Sequence, residues 1–65
     1  MDGIKYGEII SFDETTGTGL ITRIVHKERY RFKIDDVNEA QRDRVRVGEM
    51  CTFRNNGGAV DIHLE

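Results

Sequence analysis

The stretch Lys27-Glu28-Arg29-Tyr30-Arg31-Phe32-Lys33-Ile34 decides the fold. One parity is wholly basic (Lys27, Arg29, Arg31, Lys33), and the other supplies Tyr30, Phe32 and Ile34. A β-strand sends successive side chains to opposite faces, so this pattern predicts a strand with an apolar inner face and a cationic outer one. The stripe has two readings: the solvated outer face of an ordinary strand, or charges ~7 Å apart that match the phosphates of an extended single strand.

On either side, further short runs rich in Ile, Val, Thr, Phe and Tyr favour pleated, half-buried positions. Turn clusters separate them at Asp13-Glu14-Thr15-Thr16-Gly17, Val47-Gly48-Glu49 and Asn55-Asn56-Gly57-Gly58. Strands are expected at 5–12, 19–26, 29–35, 50–55 and 59–63. Asn56-Gly57 is a hairpin signal joining the last two. The segment from Asn38 to Arg44 lacks a period of two and reads as a loop, with a helical turn near 36–41. Five short strands imply an all-β barrel or sandwich, and closing a barrel removes exposed edges.

A chain of 65 residues with 37% hydrophobic and 34% charged residues is one small folded domain. No apolar run approaches the ~18 residues of a membrane span, and the first residues lack the apolar region of a secretory leader. Ten basic against twelve acidic residues give a net charge of −2, so no strongly basic domain advertises a nucleic-acid partner. Cys51 is the single cysteine, and its strand-like neighbours predict a buried thiol. His26 and His63 have no ligand-spaced companions, so neither a metal nor another cofactor is expected. Ser11, the only serine, has no evident base, which argues against an enzyme. A cytoplasmic setting is the default. The domain is read as 1–63, with Leu64-Glu65 as a cloning scar.

Gly7, then Phe12-Asp13, then Gly17-Thr18-Gly19-Leu20-Ile21-Thr22 resembles the opening of the bacterial cold-shock domain. That family shows Gly, a strand, Trp-Phe-Asn, a turn, then Lys-Gly-Phe-Gly-Phe-Ile-Thr. The spacing holds without a gap through Tyr30-Arg31-Phe32-Lys33-Ile34, where the family has Val-Phe-Val-His-Phe, and on to Phe53. Ala59-Val60-Asp61-Ile62 resembles the family's closing strand, after a loop about five residues shorter than usual. The resemblance implies a five-stranded antiparallel OB-type barrel that binds single-stranded RNA or DNA on its first three strands, by stacking bases on aromatics along a basic groove.

Most of those aromatics are replaced. Ser11 stands for Trp, Thr18 and Leu20 for two Phe, and Arg31, Lys33 and Ile34 for Phe, His and Phe. Arg42 falls at a loop position that is often aromatic, and Phe12 alone survives. Phe12, Thr18, Leu20, Arg31, Lys33, Ile34 and Arg42 are therefore the candidate site. Binding through them is expected to be weak and electrostatic, with arginines stacking where aromatics stood. The alternative is a protein-interaction module. Ile10, Phe12, Leu20 and Ile34 would form an aliphatic patch for a partner protein or another domain of a longer chain, although alternation alone places Ile34 inward with Tyr30 and Phe32.

Overall fold

In the computed structural model, which describes residues 3–65, alternation along the expected strands is realised as one curled sheet. The strands are β1 (Lys5–Asp13), β2 (Thr18–Arg23), β3 (Arg29–Lys33), β4 (Met50–Asn55) and β5 (Ala59–Leu64). All pair antiparallel in the order β3-β2-β1-β4-β5, and the curl makes a half-barrel. Its edges come together where Gly58 lies against the Arg31 carbonyl, so close that a Cβ on Gly58 would sit 2.9 Å from that oxygen. No helix among the described residues is long and apolar enough to cross a membrane.

The inward parity fills the core: Ile9, Ile21, Phe32, Cys51, Phe53, Ala59, Ile62 and Leu64 from the strands, with Val37 and Val45 from the connection. Tyr30 packs its ring 5.1 Å from that of Phe53. Two bulges adjust the alternation. On β1, Ile9 pairs with Ile21 and Ser11 with Leu20, leaving Ile10 as the extra residue. That insertion is why Ile9 and Phe12, of opposite parity, both face inward. On β5 the extra residue is Asp61, which takes a left-handed φ of 55°.

Several boundaries differ from expectation. β2 ends at Arg23, because Lys27 adopts a left-handed φ of 58° and donates its N–H to the Arg23 carbonyl in a tight turn. Lys27 therefore leaves the cationic stripe, which begins at Arg29. β3 ends at Lys33, and the chain enters a 3-10 helix at Ile34–Asp36. The expected loop at 38–44 is mostly a second 3-10 helix, Glu39–Arg44, capped by the Asn38 side chain accepting from the Ala40 N–H at 3.0 Å. Polar contacts hold this helix where apolar periodicity could not. Gln41 donates to the Leu64 carbonyl and accepts from the Leu64 N–H, matching the β5 edge as a neighbouring strand would.

The last two residues of the chain pack on the same end of the sheet. Leu64 pairs with Cys51 and is buried, and the Glu65 N–H donates to the Met50 carbonyl.

Cys51 is buried as its neighbours predicted. Burial, aided by the negative charge of Glu65, pushes its thiol from the ordinary 9.0 up to about 11. The folded state therefore holds this proton more tightly than the unfolded chain. Its contribution to stability is complete below pH 9 and is lost as pH rises toward 11. Thermal melts between pH 8 and 10.5 should show the native protein losing stability faster than Cys51→Ala. Parallel slopes for the two would contradict this.

Candidate functional site

The outward parity of β1, β2 and β3 makes one continuous face, and the strand register sets its rows. Glu8, Thr22 and Arg29 lie across the three strands in one row. Ser11, Leu20 and Arg31 form the next, and Asp13, Thr18 and Lys33 the last. Adjacent strands lie ~4.8 Å apart, so the β3 cations and the β1 acids stand about 10 Å apart with β2 between them. The charges thus sort by strand: positive along β3, negative at Glu8 and Asp13 of β1, and hydroxyl or aliphatic in the middle.

A shallow, open depression of about 390 Å³ sits on this face, lined by Ser11, Phe12, Asp13, Thr18, Gly19, Leu20 and Arg31. Its floor follows from Gly19. A Cβ there would meet the Ser11 carbonyl oxygen and, at 2.7 Å, the Phe32 ring. With no side chain at this position of β2, Phe12 and Phe32 close over the gap and stack at 5.9 Å between ring centroids, 13° from parallel.

The arginines of the chain divide by partner. Arg23 pairs with Glu28 at 3.3 Å, Arg54 with Asp61 at 3.6 Å and Arg44 with Glu49 at 4.0 Å. Arg29, Arg31 and Lys33 are exposed and have no carboxylate partner among the described residues. Three like charges on alternate positions of one strand repel one another, and nothing on the same strand offsets them. An anionic ligand following β3 would.

The candidate residues are not all brought together. Thr18, Leu20 and Arg31 line the depression, and Lys33 flanks it opposite Thr18. Phe12 reaches the depression but packs against the core, so its ring is a floor rather than a free stacking platform. Ile34 is half-buried against the core, the outcome that alternation alone suggested. Arg42 lies in the second 3-10 helix and donates from Nε to the Val37 carbonyl and from Nη2 to the Asp35 carbonyl, both at 3.1 Å. Its guanidinium ties the connection together and does not line the depression.

Ser11 and Asp13, which the sequence resemblance does not single out as contacts, also line the depression. The available signal was the adjacent pair Ile9-Ile10 followed by Phe12. An inward set spaced by three rather than two implies a bulge, which turns Ser11 and Asp13 outward. Asp13 is held in place locally: its Oδ1 accepts from the Thr15 N–H at 2.9 Å, and its carbonyl accepts from the Gly17 N–H at 2.8 Å.

Neither a protein-family model nor a curated protein matches the chain.

Proposed function

We propose that this chain is a cold-shock-like, OB-type module that binds single-stranded RNA or DNA across β1–β3, weakly and mainly through charge. The observation that carries the reading is the row of unpaired cations, Arg29, Arg31 and Lys33, beside an open depression. Phosphates follow β3, and a base lies over Leu20 with its edge toward β1. The Arg31 guanidinium supplies a plane for stacking as well as donors for phosphate. No enzymatic step is proposed.

Weakness follows from what is missing. Each base stacked on an aromatic contributes ~1–3 kcal/mol, and Ser11, Thr18 and Leu20 offer no such surface. Docking a protein is less favoured in the depression, because Phe12 and Ile34 pack on the core and Ile10 is half-buried at the β1 bulge outside it, which leaves Leu20 as its main aliphatic contact.

Fluorescence anisotropy with a labelled single-stranded heptamer tests the reading. Three phosphate contacts on a single strand give a slope of log K against log salt of about −2, or roughly fifteenfold weaker binding between 50 and 200 mM salt. Binding that ignores salt would point to an apolar contact and contradict the proposal.

A further inference from the structure

We infer that the depression discriminates among bases, with Asp13 as the specificity residue and guanine preferred over thymine or uracil at that position. This rests on the nucleic-acid reading and goes beyond it by naming the base. Asp13 and Arg31 line the same depression from opposite strands, so a base whose phosphate is held on β3 presents its outer edge to β1. The Asp13 carboxylate has no cationic partner among the described residues. One oxygen is fixed by the Thr15 N–H. A carboxylate offers about four lone-pair sites, so most of its accepting capacity is free.

An acceptor-only group selects among base edges by their donors. Guanine presents two adjacent donors, the ring N1–H and the exocyclic amino group, which match the two carboxylate oxygens. Cytosine and adenine each offer one amino group beside a ring nitrogen acceptor. Thymine and uracil offer a single N–H between two carbonyl oxygens, which a carboxylate repels. In single strands these edges are open to protein side chains, and one well-formed paired contact separates right from wrong base by ~1–3 kcal/mol. Asp13 is exposed, which places the effect at the low end of that range, about fivefold to tenfold.

The test uses three probes: a heptathymidylate, the same heptamer with a central guanine, and one with a central hypoxanthine, which lacks the exocyclic amine. Native protein should bind the guanine heptamer about fivefold or more tightly than the heptathymidylate, with hypoxanthine between. In Asp13→Asn the side-chain oxygen still accepts from the Thr15 N–H, so the turn is kept while the carboxylate is lost. This variant should bind the guanine heptamer more weakly and the heptathymidylate more tightly. If Asp13 acts only by repelling phosphate, both probes tighten together, and the inference fails. Equal affinity of the native protein for guanine and thymine, or preference for thymine, overturns the inference and leaves nucleic-acid binding standing. If none of the probes binds at low salt, the inference and the reading beneath it both fail.

Discussion

Replacing Gly19 with alanine is expected to lower the melting temperature by about 15 °C or more, which corresponds to ~3 kcal/mol in a domain this small. The added methyl would collide with the Ser11 backbone oxygen and with the Phe32 ring at 2.7 Å. A flexible side chain could swing away, but here one obstacle is backbone and the other is a core ring already stacked on Phe12. Overpacking of a well-filled core typically costs ~1–3 kcal/mol, and two rigid obstacles place this substitution at or above the upper end. The whole domain has only ~3–10 kcal/mol of stability, at ~0.05–0.15 kcal/mol per residue. A large unfolded fraction near physiological temperature is therefore expected. Gly3→Ala is the matched control, since a Cβ there meets nothing within 4 Å, and it should melt with the native protein. A Gly19→Ala variant that melts within two or three degrees of native would contradict the packing described for β1, β2 and β3.

The second large effect concerns binding. The triple variant Arg29→Gln, Arg31→Gln, Lys33→Gln should lose at least ~90% of its low-salt affinity for a single-stranded heptamer, and its salt slope should fall from about −2 toward zero. All three side chains are exposed on one outward face, so their exchange for another long polar residue removes charge while sparing the core. The melting temperature should move little, because surface substitutions of this kind typically change stability by less than ~0.5 kcal/mol each. Glutamine also keeps β3 polar, which matters at a sheet edge where an apolar replacement would invite strand-to-strand association. Arg31 should account for the largest single share, since it alone of the three lines the depression and has a planar group for a base. Unchanged affinity in the triple variant would move any binding site away from β3.

The fold was more legible than the site, for a physical reason. Alternation in Arg29–Lys33, the turn at 13–17 and the Asn56-Gly57 hairpin are local signals, and each strand they imply is present within a few residues. What escaped was set by contacts distant in sequence. Nothing around Arg42 reveals that its guanidinium will bridge the carbonyls of Val37 and Asp35, and a surface arginine in a polar loop looks like a ligand contact. The 3-10 helix at Glu39–Arg44 has no periodic apolar face. It is held by Asn38 at its start and by Gln41 on the β5 edge 23 positions away.

Bulges account for most of the remainder. Ile10 shifts the inward set from Ile9 to Phe12, which turns the Phe12 ring toward the core and brings Asp13 to the outer face. Asp61 does the same on β5, so that Ala59, Ile62 and Leu64 are all buried despite their unequal spacing. In both strands the inward apolar residues sit three apart at the bulge, and scoring that spacing in the sequence would have located it. Glu8 and Asp13 share the face of the β3 cations, and the register sets them on the far strand, about 10 Å away.

The most direct test of nucleic-acid binding on β1–β3 is a backbone-amide NMR titration with a short single-stranded oligonucleotide at low and at moderate salt. Shifts confined to Ser11–Asp13, Thr18–Thr22 and Arg29–Lys33 are expected, shrinking as salt rises, with the amides of Glu39–Arg44 unmoved. A silent spectrum at millimolar ligand, or shifts centred on another surface and indifferent to salt, would contradict nucleic-acid binding on this face.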